Sequence, residues 1–344
     1  AIGNKAQASG LVGIAIGRDA VARGDDSIAI GSQTQAGETY SVAVGNDIGY
    51  TAYAGTAVGQ QAYASGSDST AIGTMTNVDA DYNRTHDDWR KAGKQSTAIG
   101  AYAGSWGEAS ASVGAFSNAE GKQATAVGYA SQANAANSIS VGGFSKAEGE
   151  FATALGYAGK ANGYCSTALG DLAEANVNYG VALGGSSVAD RRDGAVGAFA
   201  PEGADSLTWK ANRGAVSVGS KTITRQITNV AAGSEATDAV NVAQLRAATE
   251  NAGWNLSTGK EITNPTKVKS GDIVDFSGDD ENITVSKEET DYATLVNVKL
   301  NKNLNVDSVQ AGDYFMNNEK GIGFGGDAYI TPKGLNANDK EINN

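Results

Sequence analysis

The sequence predicts a mostly β protein built as a solenoid of thin, two-sided rungs. The phrase Ser27-Ile28-Ala29-Ile30-Gly31 recurs, with near-copies closing at Gly17, Gly45, Gly59 and Gly73, then at Gly100, Gly114, Gly128, Gly142, Gly156, Gly170 and Gly184; within each run the step is fourteen residues. A fixed period of this kind marks repeats that bury one another's faces. A weaker phrase closes half a period away, at Gly10, Gly24, Gly66, Gly107, Gly121, Gly149 and Gly163, which makes two short strands per rung. Composition agrees: 46 glycines and 3 prolines in 344 residues suit tight β turns better than a compact enzyme.

Each phrase alternates in character, and side chains in a strand alternate between faces. Before the glycine stand Ile16, Ile30, Val44, Val58, Ile72, Ile99, Val113, Val127, Val141, Leu155, Leu169 and Leu183; one place earlier only Ala or Ser occurs, as at Ala15, Ala43, Ala98, Ser112, Ala126 and Ser140. One face is branched and apolar, the other carries the smallest side chains. The closing glycine fits a turn with positive φ or close backbone approach. A rung this thin cannot supply its own core, and leaving the branched ladder in water forfeits about 1.5–3 kcal/mol per residue. Association with other copies is expected, without a number of copies. About fifteen rungs would extend roughly 70 Å.

The net charge of −12 disfavours a nucleic-acid partner. Cys165 is the sole cysteine, so no intrachain disulfide can form. No apolar run is long enough to span a membrane as a helix. The chain opens inside a repeat without a signal peptide, which points to a piece of something longer.

With the period and the phrases SIAIG, SVAVG, STAIG and STALG in hand, residues 1 to about 197 resemble the head of YadA-type trimeric autotransporter adhesins. The resemblance implies a homotrimeric left-handed parallel β-roll head, here residues 1–224, with insertions at about 74–95 and 198–213. The second insertion holds Leu207-Thr208-Trp209, is similar to the family's head insert motifs, and makes Trp209 a packing anchor. The stretch from Arg225 to Leu245 closely resembles the family's neck, which narrows the head onto a short trimeric coiled coil, so 225–252 is read as neck. From the residues themselves, Thr237 or Asp238 can cap a helix, and Val242, Leu245, Thr249 and Ala252 fit a and d positions. Under two heptads cannot stand alone, so partner chains must hold it.

Beyond the neck, Gly271–Phe276, Asn282–Val285 and Ala293–Leu300 read as alternating strands. Residues 253–305 resemble the family's tryptophan-ring domain, with Trp254 as signature, and 306–344 a small β-rich connector ending where a second neck begins, as Glu341-Ile342-Asn343-Asn344 echoes Gln226-Ile227-Thr228-Asn229. The family's C-terminal β-barrel anchor is not in this stretch; the resemblance implies a passenger outside the outer membrane on a bacterial cell surface.

Catalytic constellations are nearly absent, and the chain is read as a non-enzyme needing no cofactor and no metal. His86 is the sole histidine and lies in the first insertion. Gly214 to Lys221 nearly spells a P-loop, but Ser220 displaces the lysine, leaving a repeat phrase. Asp272, Asp275, Asp279, Asp280 and Glu281 match no EF-hand spacing and read as a solvated face. Cys165 occupies a rung position held elsewhere by Asp68, Gln95, Ala109, Gln123 or Asn137, a tolerated substitution rather than a reactive thiol.

Binding candidates fall in three places. The first insertion is polar, aromatic and non-repetitive, and offers Tyr82, Arg84, His86, Trp89 and Arg90. Tyr102, Phe116, Tyr129, Phe144 and Tyr157 each follow a phrase glycine by one or two residues and should stack along one edge, as a structural column or as a ladder for an elongated partner. Arg23-Gly24-Asp25 spells the integrin tripeptide, but the repeat already demands Gly24. The expected function is multivalent attachment to host matrix or cells, or to other bacteria. The rivals are an ice-binding or purely structural spacer solenoid and a left-handed β-helix acyltransferase. The acyltransferases have a hexapeptide period; the threonine file Thr56, Thr70, Thr97, Thr125, Thr153, Thr167 needed for ice is broken by Ile28, Val42, Ile139 and Val181.

Overall fold

The computed structural model describes residues 1–77, 93–257, 265–277, 281–290, 293–317, 321–324, 327–331 and 333–335. The chain divides into two compact units, Ala1–Ala239 and Val240–Asn344.

Unit one is a parallel β-solenoid. Among the described residues, one sheet stacks thirteen strands and its companion wall is split into a four-stranded and a seven-stranded sheet. At about 4.8 Å per strand the long sheet runs roughly 60 Å, shorter than the fifteen rungs expected, because the two insertions consume chain that the period alone would have counted as rungs. Register follows the repeat residue for residue: Ala29 lies opposite Ala43 and Ile30 opposite Val44, and Thr125, Ala126 and Val127 lie opposite Ile139, Ser140 and Val141.

The Ala/Ser face points inward. Ala15, Ala29, Ala43, Ala98, Ala126, Ala154, Ala168 and Ala182 are fully buried. Each buried methyl contributes only about 0.8 kcal/mol, so the backbone ladder carries much of the cohesion. The serine that opens five of the phrases closes the turn before it: the Ser27, Ser41, Ser69, Ser110 and Ser138 hydroxyls donate to the carbonyls of Gly24, Glu38, Gly66, Gly107 and Ala135 at 2.5–2.7 Å. Where serine replaces the inward alanine, the two hydroxyls satisfy each other, as in Ser112–Ser117 and Ser140–Ser145 at 2.7 Å.

Turns bend through two kinds of left-handed residue. At the phrase glycine, φ is +128° in Gly31, and a Cβ there would collide with the Gly45 carbonyl of the next rung. Two residues later, and again half a rung on, stand non-glycine residues with φ between +50° and +59°, among them Gln33, Tyr40, Phe116, Phe144, Phe151 and Tyr179. Such backbone costs about 1–3 kcal/mol per residue unless its surroundings over-determine it. Here rung-to-rung bonds do so: the Phe116 and Phe144 amides donate to the Ala101 and Tyr129 carbonyls at 2.9 and 2.8 Å.

The split in the companion wall falls at the first insertion. Asn77 is buried, its backbone N–H donates to the Ala103 carbonyl at 2.7 Å, and its φ of +58° turns the chain out of the wall. Its carboxamide then stands in for the peptide group that a regular parallel rung would place there. The side-chain nitrogen donates to the Tyr63 carbonyl at 3.0 Å, and the side-chain oxygen accepts from the Ser105 N–H at 2.9 Å. The chain rejoins the stack at Gly93, whose N–H donates to the Ser105 carbonyl at 3.1 Å, and the wall's second sheet begins with Gly104–Ser105.

The second insertion leaves the roll after Val188–Ala189 and returns at Val216–Ser217, which pairs directly with Val181–Leu183. Within it Val196 bridges Lys210, and Trp209 is only partly covered. Arg225 closes this end: its guanidinium donates to the Gly185 and Val218 carbonyls at 2.6 and 2.5 Å and to the Ser187 hydroxyl at 3.0 Å. Removing those charge-assisted bonds in Arg225→Ala should free the last rung at a cost of about 1.5–3 kcal/mol. Hydrogen exchange at the Val188 amide, now held by the Gly219 carbonyl, should then accelerate at least tenfold. Arg225→Lys, lacking the fork, should recover less than half of the effect; unchanged exchange in both would remove the closing role.

Unit two opens with a helix, Val242–Asn251. Its cap is Asn241, not Thr237 or Asp238: the Asn241 side chain accepts from the Gln244 N–H at 3.0 Å and Gln244 returns a bond to the Asn241 N–H, a reciprocal capping box. Asp238 instead accepts from the Ser234 and Glu235 amides, closing the preceding turn. No helix residue is buried, Val242 and Leu245 included. Gly253–Leu256 pairs with Thr266–Lys269, placing Trp254 opposite Val268. Ile283–Glu289 pairs with Thr294–Leu300, and a five-stranded meander runs from Ser308–Ala311 to Gly334–Leu335. Gly271–Phe276 is not the strand expected: Gly271 at φ +96° ends Thr266–Lys269, and the Asp272 carboxylate accepts from the Lys269 N–H at 2.7 Å.

Candidate functional site

The two outer faces of the roll differ in kind. Outside the long sheet, Ile99, Val113, Val127, Val141, Leu155, Leu169 and Leu183 form one unbroken file, with Ile99, Val113, Leu155, Leu169 and Leu183 each about two-fifths exposed. Covering what remains would return on the order of 0.5–1 kcal/mol per residue. The threonine file lies beside it, interrupted by Ile28, Val42, Ala111, Ile139 and Val181. Outside the companion wall the file is polar: Asn118, Gln132, Lys146, Lys160 and Glu174 lie in register. Lys160 meets Glu174 at 2.8 Å, which holds the Glu174 carboxyl below its usual range and lifts the Lys160 ammonium. That stabilisation is present above the ordinary glutamate pKa, fades as pH falls through the lowered one, and for so exposed a pair stays under about 1 kcal/mol.

Between the two faces runs the aromatic edge. Tyr102, Phe116, Tyr129, Phe144 and Tyr157 form one continuous column with successive centroid separations of 4.9, 5.7, 5.3 and 5.7 Å. The first pair is stacked and the rest meet edge to face, at 71–79°. Such geometry stabilises the column by about 0.5–1.5 kcal/mol per pair, yet every ring remains roughly half exposed. The other turn residue of each rung is Ala101, Ala115, Ala130, Gly143 or Ala158, too small to shield its neighbour.

A second column on the opposite edge escaped the sequence reading. Phe151, Tyr164 and Tyr179 follow one another at 5.9 and 5.6 Å, and the Arg213 guanidinium lies 4.4 Å from the Tyr179 ring centroid, pinning the returning insertion. The signal was available: these residues precede Gly156, Gly170 and Gly184 by five or six places, the same test that found the first column. Cys165 sits in this turn with φ +51°, and its hydrogen bond raises the pKa of the Tyr164 phenol.

The remaining candidates are dispersed. Tyr82, Arg84, His86, Trp89 and Arg90 lie outside the described residues, as do Asp279, Asp280 and the proposed second neck at 341–344. In Arg23-Gly24-Asp25, the Arg23 amide donates to the Ala36 carbonyl, a Cβ on Gly24 would strike the Glu38 backbone, and the Asp25 carboxylate accepts from the Leu11 N–H at 2.8 Å. The backbone of all three and the Asp25 carboxylate are committed to the rungs. The near P-loop is the last rung itself, Val216 opposite Val181. Among the described residues no three His, Cys, Asp or Glu side chains gather as metal ligands.

Comparison with known proteins gives a consistent pattern. The model of the YadA head domain repeat matches residues 1–20, 22–47, 48–74, 119–145, 133–158 and 161–187. That of the coiled stalk of trimeric autotransporter adhesin matches 226–268. Autotransporter adhesin BadA of Bartonella henselae is 38% identical over 143 residues, 40% of this chain and 4% of that protein. Autotransporter adhesin BtaE of Brucella suis biovar 1 (strain 1330) is 36% identical over 132 residues, 37% of this chain and 17% of that protein. The chain thus spans a small part of both relatives. A crystal structure of the collagen-binding domain of Yersinia adhesin YadA aligns at 24% identity over 70% of this chain and 99% of that one, with a TM-score of 0.30, too loose a superposition to bear on the fold.

Proposed function

The chain belongs to the trimeric autotransporter adhesins, and from that premise we propose that it is a non-enzymatic stretch of a bacterial surface adhesin that works as a homotrimer. The observation that carries this reading is the contrast between the two faces of the roll. An apolar file from Ile99 to Leu183 backs a thin core built chiefly of Ala and Ser, while the opposite face is polar. Three chains meeting through their apolar sheets would supply the core that each lacks, and the short helix Val242–Asn251, none of whose residues is buried, would be held the same way. A stiff threefold head repeats every surface contact three times per particle, so weak contacts add as avidity. The partners proposed are host matrix or cell-surface molecules, or other bacteria, with the passenger held outside the outer membrane by an anchor beyond this stretch. The domain organisation proposed is a head to about 224, a neck to 252, a tryptophan-ring-like unit to 305 and a small β-rich connector.

Beads coated with the purified chain should adhere to immobilised matrix proteins, to cultured cells or to bacteria well above beads coated with an inert protein of equal charge. Adherence to none of the three would overturn the adhesive reading and leave a spacer.

A further inference from the structure

We propose that the aromatic edge from Tyr102 to Tyr157 is a binding track for a neutral, extended β-1,4-linked polysaccharide, one sugar ring to each rung. This rests on the adhesive reading and adds the ligand class to it. Five half-exposed rings in a row leave roughly 500 Å² of aromatic surface, the size at which an exposed patch on a soluble protein marks an interaction site. The rings recur once per rung at centroid separations of 4.9–5.7 Å, and the sugar units of a straight β-1,4 chain repeat at a similar length, so rings and sugars stay in step along the column.

The polar flank supplies the second half of the match. Two residues beyond the turn, Asn118, Gln132 and Lys146 present an amide or an ammonium in register at successive rungs. A pyranose offers one apolar C–H face and one hydroxyl edge per unit, and the rungs of Phe116, Tyr129 and Phe144 each provide one ring and one donor; Gly104 stands at that place beside Tyr102, and Lys160 beside Tyr157 is paired with Glu174. Ala101, Ala115, Ala130, Gly143 and Ala158 keep the trough beside the rings open. The turn column carries no charge from Ala101 to Ala158, and a chain of net charge −12 repels a polyanion, so the sugar is neutral.

The test is titration of the full chain with cellohexaose and chitohexaose, read by calorimetry, with cellobiose and the α-linked maltohexaose alongside. Saturable binding of at least one β-linked hexamer is expected, at least tenfold weaker for cellobiose and maltohexaose. The Tyr129→Leu/Phe144→Leu/Tyr157→Leu variant keeps apolar volume but loses the ring faces, and should bind at least tenfold more weakly with an unchanged melting temperature to within a few degrees. Phe151→Leu/Tyr164→Leu, on the opposite edge, should bind as the parent does. The proposal is overturned by no saturable binding of either β-linked hexamer, by equal binding of the α-linked one, or by full binding in the triple variant. A lowered assembly mass in the triple variant would equally overturn it, since the edge would then be a contact between copies. Bead adherence measured in parallel separates the two levels: adherence without sugar binding removes the ligand class alone, whereas absence of adherence removes the adhesive reading.

Discussion

Gly128→Ala should destabilise the roll by about 2–6 kcal/mol, the sum of two costs of roughly 1–3 kcal/mol each, left-handed backbone strain and overpacking. A Cβ on Gly128 would stand 2.6 Å from the Gly142 carbonyl oxygen and 2.7 Å from its carbon, at φ +128°. Both obstacles are backbone in the neighbouring rung, so neither can swing aside as a side chain would. The rung must open, and the ladder bonds at its corner stretch with it, among them the Gly128 N–H to the Val113 carbonyl at 2.8 Å. In a stack where each repeat touches only its neighbours, the damage stays local until the weakened interface melts. The midpoint of thermal unfolding followed by circular dichroism should fall by roughly 10–20 °C. Gly194→Ala separates the two causes, because Gly194 has φ +81° and nothing within 4 Å of the added methyl; it should cost about 1 kcal/mol. Equal losses in the two variants would mean that conformation, not rung-to-rung contact, fixes glycine at the phrase end.

Asn77→Ala should be nearly as damaging, although Asn77 belongs to no repeat phrase. Its carboxamide bridges the Tyr63 carbonyl and the Ser105 amide across the break in the companion wall. Ser105 is fully buried and Tyr63 nearly so. Truncation leaves a buried acceptor and a buried donor without these partners, each costing about 1–3 kcal/mol, for a total of roughly 2–6 kcal/mol. Because Ala at φ +58° adds strain of its own, Asn77→Gly is the control. Glycine accepts that backbone but makes neither bond, so it should recover no more than about 1 kcal/mol. Hydrogen exchange at the Ser105 amide reports the break directly and should rise at least a hundredfold in both variants. Protection retained at Ser105 would show that the roll closes over the gap without the carboxamide.

The repeat made the roll legible because a β-solenoid is periodic by construction: every residue of the phrase meets its own copy in the next rung, as Ile30 meets Val44. The aromatic edge was legible for the same reason, since rings one or two residues past each phrase glycine become a column once the rungs stack. What the repeat does not specify was harder to read. Asn77 does its work through a side chain standing where a peptide group is missing, and only the position of the missing strand reveals the need. Arg225 is forty residues from the Gly185 carbonyl it closes. Asn241 and Asp238 are both good cap residues, and which one caps depends on where the preceding turn ends. The strand expected at Gly271–Phe276 failed because alternation of apolar residues was weighed above the break at Gly271.

Central to all of this is the uncovered file from Ile99 to Leu183, and the proposed function requires copies of the same chain to cover it. Light scattering coupled to size exclusion on the purified chain tests that requirement most directly. A trimer predicts one species at three times the chain mass of 34.8 kDa, persisting to micromolar dilution. A folded species at the mass of a single chain, with the β-sheet spectrum intact, would contradict it.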